Sequence, residues 1–270
     1  AVMTDTTVII IPARYASTRY EGKPLAALSG ATGVSKSLIQ RSWDTACQVP
    51  NIDNIYVATD DQRIAQEVER FGGQVLMTSS SCRNGTERVA EALLSLSTTP
   101  DIVINLQGDA PLTPHWFISD MIDEMRRDQS VQMATPVLRC DGNTLNLFLE
   151  DRKIGRVGGT TSVFDNNNDA LYFSKEVIPY RNEIYQGGDE TPVFHHVGAY
   201  SYRPKTLAQY TEWPEGRLEK LEGLEQLRFL EQGVKVRCVE VAGKGRVFWE
   251  LNNPVDIERI EIVLRENGWP

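Results

Sequence analysis

The feature that most constrains this chain is an unbroken β-branched run, Val8-Ile9-Ile10-Ile11, which gives way at Pro12 to a cationic loop holding Arg14, Arg19 and Lys23. Branched apolar residues with no polar alternation predict a strand covered on both faces, as in a parallel sheet. Proline has no N–H to donate to a ladder, so the strand is predicted to end at Pro12. The loop beyond it, with Gly22 beside Lys23, then lies at the carboxyl end of the strand, where open α/β sheets bind their ligands. Guanidinium forks and an ammonium in such a loop suit a polyphosphate. A solvated basic turn is the alternative for the same residues. Neither a Walker A loop nor a GxGxxG fingerprint is present.

Charge narrows the choice of ligand. Lys and Arg number 28 against 37 Asp and Glu, a net charge of −9, which suits a nucleic-acid coat poorly. Basic residues gathered in one loop of an acidic chain point to a small anion instead. With 270 residues, 41% of them hydrophobic, the chain can bury one large core or two modest ones. It has no apolar run of roughly 18 residues and no signal-peptide pattern, so a cytoplasmic protein is predicted. Cys47, Cys82, Cys140 and Cys238 are scattered with no CxxC pair, which favours reduced thiols over zinc ligands or disulfides.

Apolar spacing predicts a helix over 34–49, a strand over 55–59, a helix over 64–71 closed by Gly72-Gly73, and a strand over 74–78. A helix capped by Thr86 then runs through Val89, Leu93 and Leu96, and a strand over 101–106 leads into Gln107-Gly108-Asp109. A helix over 114–127 and a strand over 132–137 follow. This β/α alternation implies an α/β fold with a doubly wound, mainly parallel sheet. The second half reads as a smaller β-rich lobe. It has sheet over 155–164 and 170–173, a turn over 165–169, a strand over 197–203, an amphipathic helix over 218–232, a strand over 234–241 and a closing helix over 254–266. With no repeat or linker composition, residues 1–270 are treated as a single domain.

Asp109 follows an apolar strand directly. A carboxylate there suits a hard cation such as Mg²⁺, which bridges phosphates while keeping most of its waters; a turn or helix-capping aspartate is the alternative. The segment from Cys82 to Arg88 offers Gly85 and two arginines beside a helix N-terminus, a setting that favours anions. Cys82 is a weak candidate nucleophile, because His195 and His196 are distant in sequence. His196 and Gln226 read as satisfied structural groups in apolar surroundings.

The segments IPARYASTRYEGKPL, ATDDQRI, SCRNGTERVAEAL, INLQGDAPL, ALYFSKEVIPY, HHVGAYSYR and LEGLEQLRFLEQG occur in the order and at about the spacing of the 3-deoxy-manno-octulosonate cytidylyltransferases, the CMP-Kdo synthetases. The chain resembles that family from Val8 to about Leu264. The resemblance implies a nucleotidyltransferase fold and a homodimer. It implies transfer of CMP from CTP to the acidic sugar Kdo, with release of pyrophosphate, for lipopolysaccharide or related polysaccharide synthesis. It assigns a nucleotide-binding half to about residue 140 and a sugar-binding and dimerisation half beyond it. Arg14, Ser17, Lys23, Arg83, Arg88 and Gln107 would hold the nucleotide, with Arg14, Lys23 and Asp109 serving catalysis. Asp109 would bind Mg²⁺, and Tyr180, His196, Tyr200, Glu225 and Gln226 would surround the sugar.

The chain departs from that pattern at identifiable places. Asn252 stands where the family has a second metal carboxylate, so a coordinating amide oxygen replaces a full negative charge. Ala110 replaces the glutamate of the usual QGDEP, the family's Val-Lys is not evident in Gly158-Gly159-Thr160-Thr161, and Lys175 replaces a common arginine. These changes allow two related readings: the same reaction on a neighbouring acidic sugar such as 8-amino-Kdo, or a CTP-binding paralogue without catalysis.

Overall fold

The structure, a computed structural model, describes residues 5–109 and 111–270; Ala110 and its departure from the family pattern lie outside the described residues. The chain forms two compact units. One comprises the chain up to Ser119 together with residues 243–270, and the other comprises residues 120–242. Among the described residues, no helix is long and apolar enough to cross a membrane.

In the first unit, β1 (Thr7–Ala13) leads through a 3-10 turn (Lys23–Leu25) to the short antiparallel pair β2 (Ala27–Ser29) and β3 (Ser35–Ser37). Then come α1 (Leu38–Gln48), β4 (Asn54–Thr59), α2 (Gln62–Arg70), β5 (Val75–Met77), α3 (Gly85–Leu93), β6 (Ile102–Leu106) and the first residues of α4 (His115–Arg127), whose part beyond Ser119 belongs to the second unit. The strands order as β5-β4-β1-β6 with every neighbour parallel. Both faces of β1 are covered, since Ile9, Ile10 and Ile11 have no exposure. The chain leaves β1 toward β4 on one side and returns as β6 on the other. Their shared carboxyl edge is therefore a topological switch point, the place where such sheets bind ligands.

The predicted end of β1 at Pro12 needs correcting. Pairing with β4 continues through Pro12↔Ala58 and Ala13↔Thr59, whereas pairing with β6 stops at Ile10↔Asn105. Pro12 thus occupies a stretch with one open side, where a missing N–H is tolerated. The helix predicted over 34–49 begins only at Leu38, because Ser37 is its N-cap and accepts from the Gln40 N–H. Asn84, not Thr86, caps α3, its Oδ1 accepting from the Glu87 N–H at 2.8 Å, and Thr86 is buried. The left-handed residue after α2 falls at Gly72, with φ 86°, as its position in the sequence predicts.

The C-terminal helix α9 (Asp256–Glu266) packs Ile260 and Leu264 against Leu28, Leu38, Leu112 and Leu251. Close approach fixes the tail here. A Cβ on Gly30 would lie 1.9 Å from the Pro270 carbonyl oxygen, which also accepts from Arg41 Nη2 at 3.1 Å.

The second unit contains β7 (Met133–Asp141), α5 (Gly142–Lys153), β8 (Thr161–Phe164), β9 (Ala170–Ser174), β10 (Glu190–His196), β11 (Ala199–Tyr202), α6 (Pro204–Glu212), α7 (Arg217–Glu222), α8 (Leu227–Glu231) and β12 (Arg237–Val241). β7 is its hub. β12 runs parallel along one edge, while β11 and β10 pair antiparallel with the first and last parts of the other. The hairpin β8–β9 turns at residues 165–169 as predicted, with Asn168 left-handed and the Asp165 carboxylate accepting from the Asn167 and Asp169 N–H groups. The helix predicted over 218–232 is two helices instead. Gly223 adopts φ 66° and ends α7, and α8 starts at Leu227. The strand expected over 155–164 is confined to β8, and α5, β10 and α6 have no counterpart among the predicted elements.

Candidate active site

Within the first unit, the cationic loop is built by its own backbone. The Gly22 N–H donates to the Tyr15 carbonyl at 2.8 Å, and a Cβ at left-handed Gly22 would lie 2.9 Å from the Tyr15 ring. Ser17 Oγ accepts from the N–H groups of Arg19 and Tyr20 at 3.3 Å each. The Arg63 guanidinium lies 3.3 Å from the Tyr15 ring centroid. Arg14 and Arg19 are exposed. Lys23 opens the 3-10 turn, with Pro24 pre-setting the next φ, and its Nζ lies 3.5 Å from Asp109 Oδ2. The ends of β1 and β6 therefore bring together Lys23 and Asp109, which are far apart in sequence.

The Gln107-Gly108-Asp109 turn is held on both sides. Ser42 Oγ donates to the Gly108 carbonyl at 3.0 Å, and the Leu251 N–H donates to the Asp109 carbonyl at 2.6 Å. Gln107 Nε2 donates to Asn105 Oδ1 at 3.0 Å, and a Cβ on Gly85 would come within 2.8 Å of that nitrogen. Glycine at 85 thus lets the start of α3 approach Gln107. Arg88 is 4% exposed and is committed to Thr78 Oγ1 at 2.6 Å, to the Ser79 carbonyl and to Asp60 at 3.5 Å. Arg83 is half-exposed and pairs with Glu87 at 3.1 Å.

Asn252 belongs to a loop tied down by Asp256. That buried carboxylate accepts from the Asn252 N–H at 3.0 Å, the Asn253 N–H at 2.8 Å and Trp249 Nε1 at 3.0 Å. The Asn252 side chain hydrogen-bonds to Glu250, which the sequence reading passed over. Burial and the neighbouring Asp109 charge push the Glu250 carboxyl up to about 8, while Lys23 and the Asn252 hydrogen bond oppose the rise. Asp109, Glu250 and Asn252 all offer oxygen, the donor chemistry of a hard divalent cation. Among the described residues, no three His, Cys, Asp or Glu side chains gather as a cage. This donor set fits a cation that keeps waters and shares phosphate oxygens.

Within the second unit, His196, Tyr200 and Gln226 come together, all buried. His196 Nε2 lies 2.8 Å from Thr135 Oγ1, whose single hydroxyl proton is directed to the Ala199 carbonyl at 2.7 Å. His196 therefore donates from Nε2. Its ring follows Phe173 at 5.0 Å and precedes Tyr200 at 5.6 Å. Tyr200 Oη donates to Gln226 Oε1 at 3.1 Å, and among the described residues the buried Gln226 Nε2 has no hydrogen-bond partner. Gln226 was read from sequence as a satisfied structural group; only its oxygen is satisfied. Glu225 is half-buried and its carbonyl accepts from Tyr210 Oη, whereas Tyr180 is 91% exposed.

Burial lowers the His196 imidazole to about 3 and that of His195 to about 4. Both folded values lie below the ordinary histidine value, so the unfolded chain takes up these protons first as pH falls. Stability from these groups is lost as pH falls through about 6.5, toward pH 4 for His195 and toward pH 3 for His196. For a buried neutral imidazole such as His196, the loss is on the order of 3 kcal/mol. Melting temperature measured from pH 7 down to pH 5 is expected to fall, with a shallower slope in His196→Gln. Equal slopes would contradict the assignment.

The cytidylyltransferase family model matches residues 8–236. The chain belongs to the cytidylyltransferase family. It is a nucleotidyltransferase. The 3-deoxy-manno-octulosonate cytidylyltransferase of Maricaulis maris is 43% identical over 259 residues, covering 96% of this chain and 97% of that protein. The enzyme of the same name from Desulfatibacillum aliphaticivorans is 39% identical over 260 residues, covering 96% and 98%. A solved structure of CMP:2-keto-3-deoxy-manno-octonic acid synthetase complexed with CTP superposes with a TM-score of 0.82 at 32% identity, covering 97% of this chain and 99% of that one. This cytidylyltransferase thus shares its whole fold with that enzyme, and the expected nucleotidyltransferase architecture holds.

Proposed function

We propose that this cytidylyltransferase transfers CMP from CTP to 3-deoxy-manno-octulosonate and releases pyrophosphate. The observation that carries the reading is the near-full-length identity of 43% to a relative named for that reaction. The juxtaposed Lys23 and Asp109 supply a physical counterpart to it. In this reading the sugar's anomeric hydroxyl oxygen forms a bond to the α-phosphorus, the bond from that phosphorus to the bridging oxygen breaks, and the hydroxyl proton passes to solvent. The protein's task is to position the reactants and neutralise charge.

Arg14, Ser17, Lys23, Arg83, Arg88 and Gln107 are proposed to bind the nucleotide. Arg88, being buried, would act chiefly by bracing the 78–88 loop. Tyr180, His196, Tyr200, Glu225 and Gln226 are proposed to bind the sugar, and the orphaned Gln226 amide donor supports a hydroxyl or carboxylate acceptor there. A bound Mg²⁺ would polarise phosphate oxygens and ease the departure of pyrophosphate. Asp109 and Asn252 are the residues proposed to hold it. A homodimer and a cytoplasmic step in polysaccharide synthesis complete the reading.

Pyrophosphate release from CTP, Mg²⁺ and 3-deoxy-manno-octulosonate is the direct test. Comparable release with the 8-amino sugar alone would transfer the reading to that acceptor. CTP binding by calorimetry with no release from either sugar would leave a nucleotide-binding paralogue, a possibility favoured by Asn252 alone.

A further inference from the structure

We propose that Glu250 supplies the second carboxylate of the divalent-cation site, taking over the charge that is absent at Asn252. The inference rests on the nucleotidyl-transfer reading and adds a ligand that neither the motif pattern nor the family comparison assigns.

The loop containing Glu250 is laid against Asp109 by a direct backbone contact, Leu251 N–H to the Asp109 carbonyl at 2.6 Å. The Asp256 carboxylate fixes the same loop through Trp249, Asn252 and Asn253, so residue 250 is not a free surface position. Glu250 is partly buried and lies within electrostatic reach of both Asp109 and Lys23. The carboxyl groups of Glu250 and Asp109 therefore share one ammonium, which stands 3.5 Å from Asp109, while Asp256 is occupied by its three N–H donors. Carboxyl oxygens brought to one place by two separate loops are the donors a hard divalent cation takes. The Asn252 amide is bonded to Glu250, so it can orient that carboxylate while offering its own carbonyl oxygen. Glutamate is one methylene longer than aspartate, so a change of register by two residues can still deliver an oxygen to the same neighbourhood.

Charge count also favours Glu250 over an amide-only arrangement. Mg²⁺ is typically bound through one or two carboxylates plus substrate phosphates. Asp109 with Asn252 provides one carboxylate, whereas Asp109 with Glu250 provides two without adding a residue to the loop.

Mn²⁺ serves as the probe, and its binding to the full chain is followed by electron paramagnetic resonance with and without CTP. Glu250→Gln is expected to weaken Mn²⁺ binding at least tenfold while leaving the melting temperature in metal-free buffer close to that of the parent, because an amide of the same size keeps the packing of residue 250. Adding Asn252→Asp to Glu250→Gln is expected to restore most of the lost affinity, which a merely structural role for Glu250 would not do. Mn²⁺ binding to Glu250→Gln as tight as to the parent overturns the proposal, as does a parent that binds no Mn²⁺ in either condition. CTP binding measured by calorimetry separates the two layers. If the parent fails to bind CTP, the nucleotidyl-transfer reading fails; if it binds CTP and Glu250→Gln retains full Mn²⁺ affinity, only the assignment of Glu250 fails.

Discussion

Replacing Lys23 by alanine is expected to lower kcat/KM for CTP by roughly 10²–10³-fold, the range found when a preorganised group facing developing charge is removed. Lys23 opens a 3-10 turn at the end of β1, held by the Gly22 and Pro24 backbone and not by its own side chain. The ammonium is therefore presented without being required for folding. Its pair with Asp109 is partly exposed, with side-chain accessibilities of 24% and 31%. Such pairs contribute ~0–1 kcal/mol, so the melting transition is expected to persist within a few degrees. Lys23→Arg keeps the charge but replaces a point donor by a planar fork, and recovery is expected to be partial. Steady-state pyrophosphate release and circular dichroism read both halves of this prediction. Activity of Lys23→Ala within tenfold of the parent would remove Lys23 from the machinery, and loss of the melting transition would make it structural.

The region around Lys23 was legible in the sequence for a physical reason. Central strands of a parallel sheet are buried on both faces, so β1, β4 and β6 read as apolar runs, and the polar residues that follow must lie at one edge. That logic puts Lys23 and Asp109 on the same side before any distance is known. Elements of the second unit were harder to read. β10 carries Pro192 and a register irregularity between Glu190 and Phe194, which breaks the alternation that marks a strand. The buried positions of α5, Gly142, Leu145 and Phe148, stand among polar and exposed residues, and the helix is announced chiefly by Asp141, which caps it at the Thr144 N–H. Glu250 was invisible for a different reason. Residues 243–270 fold with the N-terminal unit, so a residue near the end of the chain belongs with Asp109, and no local pattern encodes that return. The continuous apolar spacing of 218–232 misled because Gly223, in the left-handed region, divides it.

That division leads to the largest expected stability effect. Arg228 in α8 is 1% exposed and meets Glu219 in α7 through two bonds, Nε to Oε1 at 2.8 Å and Nη2 to Oε2 at 2.7 Å. Its Nη1 reaches the Tyr210 carbonyl, and the guanidinium lies 3.9 Å from the Tyr210 ring centroid. Glu219 Oε1 also accepts from the Gly216 N–H, closing the start of α7. Removing one member of a buried pair leaves the other charged and unpaired at a cost of ~3–5 kcal/mol. This is a large part of the ~5–15 kcal/mol that holds a typical domain folded. Arg228→Ala is therefore expected to shift the urea midpoint steeply downward, whereas Arg228→Met combined with Glu219→Leu is expected to recover much of the loss. Additive losses in the double variant would contradict a coupled pair. The functional consequence follows from position. Tyr210 Oη also donates to the Glu225 carbonyl, immediately before Gln226. The same knot thus sets the amide whose donor is proposed to meet the sugar, and at temperatures where Arg228→Ala remains folded its KM for the sugar is expected to rise more than its KM for CTP.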